Sequence, residues 1–185
     1  MNYTLVVMTL NEIDGMKVIM PKIKREWFEQ ILVVDGGSTD GTIEWSKENG
    51  YEVLVQSEKG LRQGCLEALS KIRAEAMITF SPDGNSIPEL LPKLISKIEE
   101  GYDMVIVSRY LDGAKSEDDD LITGFGNWFF TNTVNLLFGA KYTDAMVIYR
   151  GYRKSLISEL ELDKDRGFMG FEHFFNTRLC YGPVM

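Results

Sequence analysis

The sequence is poor in the residues that build metal cages and covalent cross-links. It holds two cysteines, Cys65 and Cys180, and one histidine, His173, in 185 residues. Neither cysteine has a short-range partner, which argues against a disulfide framework or a structural zinc site. Both read as buried or indifferent thiols of a reducing cytoplasm. A lone histidine is usually structural or exposed, and His173 is given no catalytic role. No apolar run approaches the ~20 residues a membrane helix needs. The most apolar stretch, Leu121 to Phe138, is interrupted by Gly124, Gly126, Asn127, Thr131, Asn132 and Asn135. The N-terminus carries no basic leader and no small-residue cleavage site, so no signal peptide is read there and a cytoplasmic location is expected.

Positive charge is also scarce. The net charge is -8 and there is no basic stripe, so nucleic acid is not an expected partner. Phosphorylated small molecules stay open, because a metal ion offsets the repulsion locally. Apolar residues make up 44% and charged residues 26%, an ordinary balance that argues against disorder. The length suits one domain. No internal repeat, low-complexity tract or linker interrupts it.

What is present is an alternation of short strands and helices. Tyr3 to Thr9, Gln30 to Asp35, Tyr51 to Val55, Ala76 to Phe80 and Asp103 to Val107 read as strands. Helices are expected over Gly15 to Glu26, bent or broken at Pro21, and over Asp40 to Asn49, stopped by Gly50. Two more are expected over Gly60 to Ala74 and Pro88 to Glu100. This order predicts an α/β fold with a mostly parallel sheet flanked by helices. Continuous apolar strands suit a sheet covered on both faces. Ligands of such sheets gather at the carboxyl ends of the strands. Three polar clusters fall at such ends: Thr9 to Glu12, Asp35 to Asp40, and Ser81 to Ser86. After Val107 the pattern changes. Residues 111–120, rich in Asp, read as a mobile, solvated loop.

At Val33-Val34-Asp35-Gly36-Gly37-Ser38-Thr39-Asp40-Gly41-Thr42 a strand delivers a carboxylate into a glycine-rich turn before a helix. Glycines admit a ligand close to the backbone. Two readings stand. Asp35 accepts hydrogen bonds from a ribose or base, or Asp35, Ser38 and Asp40 shape the turn and cap the helix. A dinucleotide fingerprint is absent, since there is no G-x-G-x-x-G.

This segment resembles the first nucleotide-binding motif of family 2 glycosyltransferases. Thr9-Leu10-Asn11-Glu12 is similar to the family's opening motif. Ser81-Pro82-Asp83-Gly84-Asn85 falls where the family places its Asp-x-Asp element. Val107-Ser108-Arg109-Tyr110 is similar to a Gly-Ser-Arg-Tyr motif of the polyprenyl-phosphate sugar synthase branch. Thr143-Asp144-Ala145 with Tyr149-Arg150-Gly151-Tyr152-Arg153 loosely matches that branch's acidic motif. The motifs come in family order and cover most of the chain.

The resemblance implies a GT-A-like fold, a nucleotide-sugar-binding half over residues 1–110 and an acceptor-side half over residues 111–185. It also implies transfer of a sugar, with inversion, from a nucleotide-diphosphate sugar to a lipid-phosphate or hydroxyl acceptor. Its substrate-binding residues would be Thr9, Asn11, Glu12, Asp35, Ser38, Asp83, Asn85 and Arg109. Asp83 would hold Mg²⁺ or Mn²⁺, which accept one or two carboxylates and fill the rest of their shell with phosphate oxygens and water. Read without the resemblance, Asp83-Gly84-Asn85 is simply a tight turn. Asp144 and Glu172 are the candidate bases for a hydroxyl acceptor. A phosphate acceptor is already an anion and needs no strong base. Arg109 suits a phosphate by its forked donors.

Two departures stand out. Ser81 replaces the usual first Asp of Asp-x-Asp, and Gly36 replaces a second Asp that relatives use near the nucleoside. They keep open an alternative, a degenerate non-catalytic nucleotide-sugar-binding module. A nucleotidyltransferase would want a Gly/Arg/Lys-rich loop after the first strand, which Met8 to Glu12 lacks. Trp128-Phe129-Phe130 and Leu136-Leu137-Phe138 are expected to pack in the core; the other reading is an interfacial helix making peripheral membrane contact, which normally shows basic residues that are missing here. The chain ends at Met185, where relatives commonly continue, as either a compact version or an excerpt.

Overall fold

The computed structural model describes residues 1–110, 121–139, 141–145 and 147–159. The loop expected over residues 111–120, Glu172, His173 and Cys180 lie outside them. The described chain forms two compact units that divide at Pro92 and Lys93.

The first unit is built on four parallel strands. β1 (Tyr3–Thr9) pairs with β2 (Gln30–Asp35) on one side and β4 (Ala76–Phe80) on the other, and β3 (Glu52–Val55) joins the far edge of β2. Val6 stands opposite Leu32 and Thr79 in register. All seven residues of β1 are buried, because helices cover both faces of a parallel sheet. The crossovers carry α1 (Ile13–Ile19), α2 (Thr42–Glu48) and α3 (Leu61–Leu69). In the order β3-β2-β1-β4 the chain steps one way from β1 and then returns to its other side. That reversal opens a crevice beyond the carboxyl ends of β1 and β4, the customary ligand position in such sheets. Thr9–Glu12 and Ser81–Asn85 leave those two ends.

The helix expected over Gly15 to Glu26 is shorter. α1 stops at Ile19, and 3-10 turns follow over Met20–Lys22 and Arg25–Trp27. Pro21 lies in the first of these, where its missing N–H cannot continue an α-helical ladder. α3 also ends early, at Leu69 rather than Ala74.

The second unit holds α4 (Leu91–Glu99) from Lys93 onward, β5 (Met104–Ile106), α5 (Leu121–Phe138), β6 (Arg150–Arg153) and α6 (Lys154–Glu159). β5 and β6 pair antiparallel, with Val105 opposite Gly151. Leu94, Ile98, Met104 and Tyr149 are the largest fully buried side chains among its described residues.

α5 corrects one expectation. Most of the apolar residues described in the stretch expected to pack in the core do not do so. Phe125, Trp128, Phe129, Leu136 and Leu137 are exposed, Leu136 to 85%. The rings of Phe125 and Trp128 stack with centroids 5.9 Å apart. Asn127 and Thr131 are buried instead. The cause is local: the inward face must supply hydrogen bonds to the segment 142–145, so polar residues at four-residue spacing turn in beside Val134, and Phe125, Trp128, Phe129, Leu136 and Leu137 turn out.

Candidate functional site

In the first unit, the polar clusters that follow β1 and β2 bind one another. Asp35 is 0% exposed. One of its oxygens accepts from the amides of Gly37 and Ser38 at 2.8 and 2.6 Å. The other accepts from Thr9 Oγ1 at 2.9 Å and Ser38 Oγ at 2.6 Å. Asn11 and Ser38 then clasp each other's loops. The Asn11 amide donates to Ser38 Oγ at 2.7 Å, and the Thr39 amide donates to Asn11 Oδ1 at 2.8 Å. Asn11 adopts φ 57 to do so, a left-handed conformation that asparagine tolerates better than most residues. The Glu12 amide donates to Thr42 Oγ1 and the Ile13 amide to Asp40 Oδ2, each at 3.0 Å.

In this arrangement Asp35 shapes the turn, its two oxygens accepting from four internal donors. Thr9 and Ser38 supply two of those donors through their hydroxyls. Asp40, which the sequence offered only as a turn or cap residue, and Thr42, to which it gave no role, complete the clasp. Their signal was the Asp-x-Thr spacing at a helix start.

The clasp leaves Glu12 and the Asp83 turn at the crevice. Asp83 and Asn85 are exposed. Asp83 Oδ1 accepts from the Asn85 amide at 2.9 Å, and Gly84 supports the turn with φ +94, which glycine adopts without strain. Glu12 is half-buried, and its carboxyl is pushed above the usual range by burial first and then by the charges of Asp83 and Asp40. A cation in this crevice relieves that repulsion. α1 lies hard against the turn: a Cβ built on Gly15 would stand 1.9 Å from the Pro82 carbonyl oxygen. Among the described residues no group of three metal-ligating side chains forms a closed cage. An exposed carboxylate without a cage fits a hard divalent cation that takes most of its ligands from substrate phosphate and water.

In the second unit, Arg109 and Asp144 meet. Asp144 is 0% exposed. Its Oδ2 accepts from Arg109 Nε at 2.8 Å and from the Arg109 amide at 3.2 Å. Its Oδ1 accepts from Arg109 Nη2 at 3.2 Å and Asn127 Nδ2 at 3.1 Å. Burial alone would raise the Asp144 pKa, but hydrogen bonds and charge from Arg109, with help from Asn127, outweigh it and hold the carboxyl below its ordinary range. A depressed pKa and four donors suit an anchor for the guanidinium rather than a general base. The sequence named Asp144 and Arg109 separately; that they form one pair is legible only in space. Ser108 supports the same loop, accepting from the Tyr110 amide at 3.2 Å and bonding Thr143 Oγ1 at 2.7 Å. Asn127 and Thr131 were missed. Their signal was a pair of polar residues four apart in an otherwise apolar run.

A pH prediction follows from Asp144. Because its folded pKa is depressed, its contribution to stability is complete above the ordinary carboxyl pKa of about 4. It is lost as the pH falls through the lower folded value. Urea unfolding between pH 7 and pH 2 is expected to show a wild-type advantage over Asp144→Asn that is constant above that pKa and shrinks below it. An advantage independent of pH would contradict the assignment.

Comparison with known proteins gives the family and the fold. The chain is 30% identical over 161 residues to Glycosyltransferase AglJ of Haloferax volcanii, covering 85% of this chain and 52% of that one. It is 28% identical to the Dolichyl-phosphate hexose transferase of the same organism, over 86% of this chain and 69% of the relative. It is 27% identical to the Undecaprenyl-phosphate mannosyltransferase of Micrococcus luteus, over 94% and 77%. The crystal structure of glucosyl-3-phosphoglycerate synthase from Mycobacterium tuberculosis in complex with Mn²⁺, uridine diphosphate and glucosyl-3-phosphoglycerate superposes with a TM-score of 0.69 at 15% identity, over 85% of this chain and 58% of that one. That likeness establishes the GT-A fold. The chain thus spans about half the length of AglJ and of that synthase. Residues 4–161 match the family described as Glycosyl transferase family 2, and with its motifs standing in family order along a GT-A fold, the chain belongs to that family.

Proposed function

We propose that this chain is the metal-dependent, inverting catalytic domain of a glycosyltransferase that moves a sugar from a nucleoside-diphosphate sugar to a phosphate acceptor, with a polyprenyl phosphate the preferred acceptor class. The observation that carries the reading is the exposed Asp83 turn, clamped by α1 at the reversal point of the sheet beside Glu12. The names of the dolichyl- and undecaprenyl-phosphate relatives support the acceptor class.

Asp83 would hold Mg²⁺ or Mn²⁺, and Asn85 would orient the donor oxygens beside it. When bound, the metal supplies Lewis-acid stabilisation of charge on the departing nucleoside diphosphate. Glu12 lines the donor side, while Thr9, Asn11, Asp35 and Ser38 keep the two loops in register. Arg109 holds the acceptor phosphate, and Asp144 fixes the plane of its guanidinium. A phosphate oxygen forms the new bond to the anomeric carbon as the bond to the diphosphate breaks, and a single displacement inverts that carbon. The attacking oxygen is already anionic, so neither Asp144 nor Glu172 is needed as a base. The outward apolar face of α5, with a tryptophan suited to an interface, gives an isoprenoid chain or the cytoplasmic face of a membrane a surface to rest on. None of the helices among the described residues is long and apolar enough to cross a membrane.

The test is thermal stability against nucleoside diphosphates and their sugars, with and without Mn²⁺ or Mg²⁺. Binding raises apparent stability by mass action. A shift with one nucleoside series that requires metal and disappears in Asp83→Ala is expected. An undiminished shift in excess chelator, or in Asp83→Ala, would remove the metal assignment. Transfer onto farnesyl phosphate by the wild type, absent in Asp83→Ala, separates an enzyme from a binding module.

A further inference from the structure

We infer that Gln56 reads the nucleobase of the donor, its side-chain amide bonding the base edge in a slot that Leu10, Gly36 and Gln56 form at the carboxyl ends of β1, β2 and β3. The inference rests on the reading of the crevice as a nucleoside-diphosphate site.

The three strands end level with one another. Thr9 stands opposite Asp35, and Asp35 opposite Val55. Both ladders then run one hydrogen bond further. The Gly36 amide donates to the Thr9 carbonyl and the Gln56 amide to the Asp35 carbonyl, each at 2.9 Å. Leu10, Gly36 and Gln56 therefore make up the next row across the strand ends. Gly36 brings no side chain to that row. Leu10 leans over the gap, with Cδ1 3.3 Å from the place a Gly36 Cβ would take, and its side chain is exposed. An exposed leucine beside bare backbone gives the flat face of a base an apolar seat. The reach also fits. The Asp83 turn leaves β4, and β3 lies three strands away, about 14 Å at the spacing of paired strands. An extended nucleoside diphosphate with its phosphates at the Asp83 turn sets its base at that distance.

Gln56 is unfinished as a structural residue. Its Oε1 is buried without a hydrogen-bond partner, and its Nε2 forms no hydrogen bond among the described residues. The amide packs instead against α3 and β1: a Cβ built on Gly64 would stand 2.2 Å from Nε2 and 2.9 Å from Met8 Cε. Gln30, a structural amide of the same sheet, is the contrast. Its Oε1 accepts from Thr4 Oγ1 at 3.1 Å and the Arg73 amide at 3.2 Å, and its Nε2 donates to Glu52 at 2.9 Å and the Lys71 carbonyl at 3.2 Å. A buried carbonyl with no donor costs free energy that an apolar side chain of the same shape would not. Gln56 is half-buried and the terminal torsion of a glutamine is soft, so the amide turns outward to a ligand readily. A base edge supplies what it lacks, an N–H beside an acceptor, matched by the carbonyl and NH₂ of one amide.

The experiment is titration calorimetry on the full chain with Mn²⁺, comparing UDP, GDP, ADP and CDP with inorganic pyrophosphate, which carries the phosphates and no base. Urea unfolding accompanies it. The wild type is expected to bind one of the four nucleotides at least about tenfold more tightly than pyrophosphate. Gln56→Met, which keeps the unbranched shape, is expected to weaken that nucleotide about tenfold, the scale of a buried hydrogen bond. It is expected to leave pyrophosphate unchanged and to raise the urea midpoint, because the unpaired carbonyl is gone. Gln56→Leu takes its place if that variant does not fold. Unchanged nucleotide affinity in Gln56→Met, an equal loss for pyrophosphate, or a lower urea midpoint would overturn the base-reading role alone. So would a wild type that binds all four nucleotides no better than pyrophosphate. A wild type that binds neither nucleotide nor pyrophosphate would instead overturn the donor reading on which the inference rests.

Discussion

Gly15→Ala is expected to weaken metal-dependent donor binding about 100-fold while the parallel sheet stays folded. The added Cβ would lie 1.9 Å from the Pro82 carbonyl oxygen and 3.0 Å from its carbonyl carbon. Both are backbone atoms, so no side chain can swing aside. Retreat of α1 is hindered as well, because the Glu12 and Ile13 amides at its start are tied to Thr42 and Asp40. Pro82 is buried, and the next residue is Asp83. The strain therefore moves the Asp83 turn away from the crevice. Overpacking of this kind costs about 1–3 kcal/mol of stability. A displacement near 1 Å at a positioned ligand costs about 100-fold in function, so the larger effect falls on binding. Gly64→Ala is the informative comparison. Its Cβ would meet the Gln56 amide at 2.2 Å and Met8 Cε at 2.9 Å, both ends of flexible side chains, and its effect on metal-dependent binding is expected to be much smaller. Titration of nucleoside diphosphate with Mn²⁺, beside urea unfolding, reads both quantities. Donor binding in Gly15→Ala within twofold or so of wild type, where about 100-fold is expected, would show that α1 does not hold the turn.

That contact also marks where reading the sequence reached its limit. The strands of the first unit were legible because each is a short continuous apolar run bounded by polar turns, the pattern of a sheet covered on both faces. The three polar clusters at strand ends were legible for the same reason. Which members of a cluster face a ligand was not. The four donors to Asp35 come from Thr9, Gly37 and Ser38, and only the first of these is remote in sequence. Gly15 carried no signal at all, because a glycine in a short helix gains meaning only from the Pro82 carbonyl brought against it by β4. The apolar stretch of α5 misled for a different reason. Aromatic residues at helical spacing usually seek the core, but here Asn127, Thr131 and Asn135 lie on the opposite face, and the hydrogen bonds they owe to residues 142–145 decide which face turns inward. An unsatisfied buried amide or carboxylate costs more than an exposed ring.

Asp144→Ala is expected to lower stability by about 3–5 kcal/mol, the usual consequence of removing one partner from a buried pair. Asp144 is 0% exposed and the Arg109 side chain 25% exposed, so water reaches the guanidinium only in part. The truncation also strips Asn127 Nδ2 and the Arg109 amide of an acceptor. Asp144→Asn keeps the shape but turns an NH₂ group toward donors, and is expected to be nearly as harmful. An Asp144→Ala protein that unfolds at the wild-type urea midpoint would mean that the pair is not formed. The loss does not mean that the ion pair is the best way to stabilise this unit. Burying two charges costs desolvation that the attraction only partly repays, and apolar replacement of both partners is often neutral or better. The double variant Arg109→Met with Asp144→Leu is therefore expected to recover most of the stability lost in Asp144→Ala. It is expected to recover none of the farnesyl phosphate binding, because no fork remains to meet the phosphate. A pair that can be replaced for folding but not for binding is one retained for its chemistry. If the double variant bound farnesyl phosphate as the wild type does, Arg109 and Asp144 would be reduced to packing, and the acceptor phosphate would have to be read elsewhere in the chain.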